Sequence, residues 1–269
     1  MPLTSRQVAR GVLTYGAAAA CGWLFSRMHV PLPWMLGPLA ITALASLAGL
    51  PVVTWMGLRN IGLTVVGTTL ALYFTPAAAG QLLAHLPLIL TAVAATLIIA
   101  CAASLLLARN GGLDRVTAFF CSVPGGASEM CMLAHRFGGA PTPIAVSQML
   151  RVVVLVVALP AIMTLGGAGD GIGVQAPPVM QGSGPGLALL LAVSGGVTLI
   201  LVRLGMRNAW MLVPLIIGIA TMLGGFEPAA MPGLLAGLAQ IFLGAQLGAA
   251  FKRHDLMAVR TALPAILVN

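Results

Sequence analysis

The sequence predicts an all-α polytopic membrane protein made of two inverted repeats, each with a broken or re-entrant helix, the second repeat being truncated. Three observations carry this prediction: an apolar composition, a repeated segment and a lopsided distribution of arginines. The 269 residues are 59 % hydrophobic and 7 % charged, and the mean hydropathy is +1.05. The 33 glycines and 18 prolines are scattered through apolar sequence instead of being gathered in a linker. Soluble globular domains do not have that composition. Several windows reach the roughly 20 apolar residues that a helix needs to cross a bilayer.

Arg6 and Arg10 followed by GVLTYGAAAACGW resemble a signal peptide, and AAAAC resembles a lipoprotein cleavage site. The apolar run continues through Trp23, Leu24 and Phe25, however, and further spans follow, so 11–26 reads as the first span. The next are 32–49, 60–75, 83–108, 143–165, 187–202, 208–224 and 232–250, with a last one starting near 258. Segment 114–136 is apolar but interrupted by Pro124-Gly125-Gly126. The stretch PLPWMLGP, with Pro31, Pro33 and Pro38, predicts a short interrupted helix with Trp34 near an interface. A Gly- and Pro-rich loop, 166–186, divides the chain into a first repeat, 1–165, and a second, 187–269.

The repeat is visible residue by residue. PLPWMLGPLAITALASLAGL aligns with RNAWMLVPLIIGIATMLGGF at an offset of 176, matching Trp34 with Trp210, Met35 with Met211 and Pro38 with Pro214. After one inserted residue Gly67 matches Gly244, Phe74 matches Phe251 and Pro87 matches Pro264. The chain is read as a duplication. The second copy stops at LPAILVN, where the first continues into the Pro-Gly-Gly region, so roughly 75 to 80 residues of a complete second copy are expected to be missing.

Charge selects the topology. With a re-entrant Pro-Gly-Gly segment and a cytoplasmic N-terminus, Arg6, Arg10, Arg59, Arg109, Arg115, Arg136, Arg203, Arg207, Lys252 and Arg253 lie inside and only Arg27 outside. A full crossing would leave five inside and six outside. The positive-inside rule favours the first arrangement. Five true spans per copy then bring the second copy into the membrane from the opposite side, and inverted repeats with broken helices are a transporter signature.

Polar groups within such a chain need a reason. Glu129, one of five acidic residues, follows the Pro-Gly-Gly break in CSVPGGASEM. Irregular backbone at membrane depth is tolerated only where protein or a water-filled cavity satisfies it. Proline lacks an amide proton and glycine accepts unusual backbone angles, so a turn is expected there. ASEMCMLAH then reads as a helix whose first turn Ser128 or its neighbour can cap. Its N-terminus suits an anion or a carboxylate. Glu129 has two readings: a self-satisfied cap, or a proton or cation site lining a cavity. Arg151, in PIAVSQMLRVVVLVVALP, shares a helix face with Ser147 and Gln148. It is expected to pair with Glu129 or an anionic substrate, or else to form a structural ion pair tying the broken segment to the next span.

The remaining residues point away from other chemistries. The thirteen cations are dispersed, without a patch interleaved with aromatics, so direct nucleic-acid binding is disfavoured. Cys21, Cys101, Cys121 and Cys131 have no metal-type spacing and read as small buried hydrophobes. His85 and His135 are expected to reach an interface. No metal cluster and no cofactor are expected. Gly233, Gly237, Gly244 and Gly248 form two small-xxx-small pairs, suited to close packing within the bundle or, alternatively, to a homodimer face.

Taken together, PLPWMLGP, VPGGASEMCMLAHRFGGA, SQMLR and the second WMLVP with FLGAQLGAAF are similar to the AbrB family of bacterial integral membrane proteins, which is defined by a duplicated membrane domain. The resemblance covers nearly the whole chain and departs from the family in lacking the end of the second copy. It implies that Pro124, Gly125, Gly126, Ser128, Glu129, Met130 and Arg151 carry the family pattern; Gln148 joins them as a candidate binding residue through its position beside Arg151. For function it implies little: the family is described as regulators of gene expression, some members are labelled ammonia monooxygenase, and there is distant similarity to secondary transporters. It is unrelated to the soluble DNA-binding protein of the same name.

The expected function is that of a multi-pass inner-membrane secondary transporter or exporter of a small solute, with the bilayer and a solute or proton as partners. The alternative is a membrane-embedded regulator that does not touch DNA. An ammonia monooxygenase would need a metal site that the sequence does not display, so no enzyme activity is expected.

Overall fold

The computed structural model describes residues 5–28, 30, 32–165, 184–206, 208–226 and 228–258. Twelve helices run through them: α1 Ser5–Arg27, α2 Pro33–Leu47, α3 Met56–Leu72, α4 Pro76–Ala84, α5 Leu86–Asn110, α6 Arg115–Ser122, α7 Ala127–Arg136, α8 Pro141–Leu165, α9 Gly184–Arg203, α10 Ala209–Leu223, α11 Gly233–Ala249 and α12 Arg253–Ala258. Four of them are long and apolar enough to cross a membrane: α1, α5, α8 over Pro141–Ala158, and α9. A fifth crossing is available if α3 and α4, bent by 79°, count as one span. The chain is an all-α membrane protein.

Local chemistry accounts for the breaks. Thr75 starts α4, its Oγ1 accepting from Ala78 N at 3.2 Å, and Pro76 occupies the first helical position, where a missing amide proton costs nothing. This short helix between two expected spans had no counterpart in the sequence prediction. Pro33 opens α2 in the same way, but Pro38 and Pro214 lie inside continuous helices of 15 residues, so the interruption expected in PLPWMLGP is absent. Of the cysteines, only Cys121 is buried; Cys101 is exposed and the other two are intermediate. The bulk of the predicted connecting loop, 166–183, and the final span beyond Ala258 lie outside the described residues.

The helices form two compact units. One comprises 1–42, 52–84 and 163–246, the other 43–51, 85–162 and 247–269. Spatial units and sequence repeats are different partitions, and the boundary at 166–186 remains a reading of the sequence.

The first unit is held by backbone approach. A Cβ on Gly67 of α3 would run into the carbonyl of Met211 in α10, and one on Gly244 of α11 into the carbonyl of Met35 in α2. Gly62 lies against the carbonyl of Ala239. Tyr15 anchors α1 through its hydroxyl, which accepts from Trp55 N at 3.2 Å, and packs edge-on against Phe242 at 5.6 Å. Element boundaries in this unit keep the register of the sequence alignment: α2 and α10 differ by 176 at both ends, α3 and α11 by 177 at both ends. The second unit packs α5 against α6, α7 and α8 around Leu107, Ala118, Phe120, Cys121, Ala134 and Ile144.

Candidate functional site

The candidate site residues lie on a helical hairpin formed by α6 and α7 and on the helix beside it, α8. Asp114 caps α6, its Oδ2 accepting from Thr117 N at 2.9 Å from an extended backbone. The Thr117 hydroxyl, and then its amide, hold the Asp114 carboxyl below the ordinary carboxylate range. The helix ends at Ser122 because Val123 precedes a proline and is pushed to the extended region, φ −70° and ψ 127°. After Pro124-Gly125-Gly126 the chain re-enters helix as α7.

The far end of α7 closes with Gly138 at φ +80°. Gly139 N donates to Ala134 O at 2.9 Å and Gly138 N to His135 O at 3.3 Å, a Schellman arrangement that needs a left-handed residue. Ala140 N then donates to the buried Thr117 hydroxyl oxygen at 2.8 Å. That bond joins the chain leaving α7 to the first turn of α6, so the hairpin begins and ends at the same end, with Pro-Gly-Gly at its tip. At about 1.5 Å per residue, the eight residues of α6 carry the tip roughly 12 Å from this base.

Helix α8 runs beside α6 from base to tip and satisfies its last carbonyls. Ser147 Oγ donates to Cys121 O at 2.9 Å. Gln148 Nε2 donates to Phe120 O at 3.0 Å and Val123 O at 2.8 Å. Arg151 Nη2 donates to Cys121 O at 3.0 Å and Ser122 O at 2.7 Å. A helix end leaves four carbonyls without intrahelical partners and carries partial negative charge, so one amide and one guanidinium meet both needs. Arg151 Nη1 is buried with no hydrogen-bond partner.

This corrects the expected Arg151–Glu129 pair. Arg151 Nη2 donates to carbonyls, and His254–Asp255 at 3.3 Å is the one ion pair among the described residues. Arg151 does tie the hairpin to the next span, but through main-chain oxygens. Glu129 sits at the third position of α7, and its carboxylate folds over Gly126, the N-cap residue. The third helical position is where the glutamate of a capping box stands, and a carboxylate there complements the helix dipole.

The tip glycines also serve differently from expectation. Neither Gly125 nor Gly126 has a positive φ. A Cβ on Gly125 would meet the Met130 side chain, and one on Gly126 the Glu129 carboxylate, so both side chains lie close over the turn. The tip therefore unites Pro124, Gly125, Gly126, Glu129 and Met130, while Gln148 and Arg151 hold the adjoining end of α6. The Ser128 side chain lies outside the described residues. Thr117 and the carbonyls of Phe120 to Val123 were missed in sequence. The spacing Asp114-x-x-Thr117 ahead of an apolar run was the available signal for the cap.

On α11, Gly244 is used in contact with Met35, whereas Gly233 and Gly237 meet nothing within 4 Å. Gly248 is buried, so Gly233 and Gly237 are the open positions of the four considered above. Among the described residues no group of three His, Cys, Asp or Glu is arranged to share a metal ion.

The fold defines a multi-span helical membrane protein in which one helix is broken at Pro124-Gly125-Gly126. The family described as "Transition state regulatory protein AbrB" matches residues 50–269, and the chain belongs to this family. It is 27 % identical over 250 residues to "Putative regulator AbrB" of Escherichia coli (strain K12), covering 91 % of this chain and 71 % of that relative. No solved structure matches.

Proposed function

We propose that this chain is an inner-membrane secondary transporter or exporter of a small solute, anionic or proton-coupled, with its N-terminus cytoplasmic and its site at the hairpin tip. The observation that carries the reading is the tip itself. A helix is broken at Pro-Gly-Gly and folded back, and its two inner ends present opposite partial charges. The α6 end is neutralised by Arg151 and Gln148. At the α7 end the Glu129 carboxylate lies over Gly126, and a solute anion can replace it once the carboxyl is protonated. A hairpin of this depth reaches about the middle of a 30 Å hydrocarbon layer, where non-helical backbone marks binding sites.

The duplication supports the same reading. Met35 is the sequence counterpart of Met211, and Gly67 of Gly244, and the contacts are reciprocal: Gly67 on Met211, Gly244 on Met35. Gly62 and Ala239, which touch, are each other's counterparts at the offset of 177. Such reciprocity favours a pseudo-two-fold relation between copies, and the arginine count favours an axis in the membrane plane. No enzymatic step is part of this reading.

The direct test is flux in proteoliposomes. Wild type is expected to move a solute or protons across the bilayer, and Glu129→Gln to abolish proton-coupled flux while retaining the fold. Silence of the wild type across a broad panel of organic anions, amines and proton gradients would reject the transporter.

The descriptions of the family and of the relative as regulators favour a second reading, a membrane-embedded regulator acting on gene expression without touching DNA. Expression profiling of a deletion strain complemented with wild type or Glu129→Gln separates the two. If the flux-dead variant restores the wild-type profile, regulation is independent of transport.

A further inference from the structure

The base of the hairpin carries a second feature that the tip does not use. Arg115, Val116, Phe119, Phe120 and Phe137 line an open groove of about 390 Å³. Phe120 and Phe137 stack at 6.4 Å and 22°, and Phe119 stands edge-on to Phe120 at 5.4 Å. Phe119 is 40 % exposed and Phe137 64 %, so two walls of the groove are available to a ligand instead of being closed core.

Its level in the membrane follows from its neighbours. The base adjoins the last turn of α5, which holds Arg109, and the first residue of α8, Pro141. Both helices are long and apolar enough to span, so their polar ends lie where hydrocarbon gives way to headgroups. Exposed Arg109, Arg115, His135 and Arg136 surround this level in the chain. The nearby acid, Asp114, is occupied in capping α6.

We propose that this groove binds an anionic phospholipid, with an acyl chain against Phe119, Phe120 and Phe137 and the phosphate at Arg115. A soluble anion would leave the aromatic walls unused. A purely apolar ligand would leave the cationic rim without purpose. A lipid with a net negative headgroup matches both, because basic residues near the surface attract anionic lipids while aromatic rings favour the headgroup boundary.

The test uses the full chain in phosphatidylcholine vesicles containing a trace of photoactivatable phosphatidylglycerol or of the matching phosphatidylcholine probe. Cross-linked peptides are mapped by mass spectrometry. The phosphatidylglycerol probe is expected to label the segment from Arg115 to Phe137 several-fold more than the phosphatidylcholine probe. Arg115→Gln is expected to reduce that preference about five-fold, and Arg10→Gln, on a helix of the other unit, to leave it intact. Phe137→Ala is expected to lower labelling by both probes. Equal labelling of the wild type by the two probes, or a preference unchanged in both Arg115→Gln and Arg115→Glu, overturns the proposal.

Discussion

The two units of this molecule solve one problem in opposite ways. In the first, helices touch through glycines, with Gly67 and Gly244 admitting the carbonyls of Met211 and Met35. In the second, the broken helix is held by side chains that donate to main-chain oxygens, Ser147, Gln148 and Arg151 onto residues 120 to 123. An apolar chain in lipid gains little from hydrophobic burial between helices, so shape and hydrogen bonds decide its packing. Shape suffices where helices are continuous. Where one is interrupted, freed carbonyls must be met, and that requirement brings charge into an otherwise apolar region.

Breaking the hairpin tie is expected to cost most. Arg151→Leu removes the two charge-assisted bonds to the carbonyls of Cys121 and Ser122, for a loss of about 3 kcal/mol in thermal unfolding of the purified protein. Arg151→Lys retains the charge but not the forked donor and is expected to fall between wild type and Leu. A full-strength Arg151→Leu protein would show that the α6 carbonyls find other partners.

The glycine contacts come next. Gly67→Ala and Gly244→Ala each force a methyl group into a carbonyl, at about 1–3 kcal/mol by the usual cost of overpacking. Similar losses in the two single variants sharpen the reciprocity of the copies; a loss in only one breaks it.

Asp114→Ala removes an N-cap and is expected to cost about 1 kcal/mol. The pH dependence has a definite sign. Because the folded carboxyl lies below its ordinary value, its contribution is present above the unfolded pKa of about 3.9 and disappears as pH falls through the folded value. Acid titration of the unfolding temperature is expected to lose that step in Asp114→Asn. The smallest effect belongs to Gly237→Ala, whose methyl group enters open space in the middle of a helix. Its stability is expected to stay level or rise by up to about 1 kcal/mol. A large loss in detergent, accompanied by a change in oligomeric mass, would reveal a partner on that face.

Much of the hairpin was legible before any coordinates. The Pro-Gly-Gly break, the helix after it and the capping position of Glu129 follow from local rules that operate within a turn or two. Arg151 was recognisable as anomalous because a charge eight residues into an apolar span needs a partner. Its actual partners were not legible, because they are backbone oxygens, which every residue possesses and no sequence pattern marks. The tip glycines, expected to adopt unusual backbone angles, have no positive φ, and the Met130 and Glu129 side chains lie close over them.

By itself, the sequence determined the all-helical membrane class and the location of the broken helix, since composition and local rules encode these directly. Tertiary structure alone decided that α3 and α4 bend by 79°, that Thr117 closes the hairpin onto Ala140, and that Arg151 serves α6 instead of Glu129. These outcomes depend on which groups, dozens of residues apart, arrive within 3 Å of one another. That is settled by packing, where many partners are chemically equivalent and only geometry chooses among them.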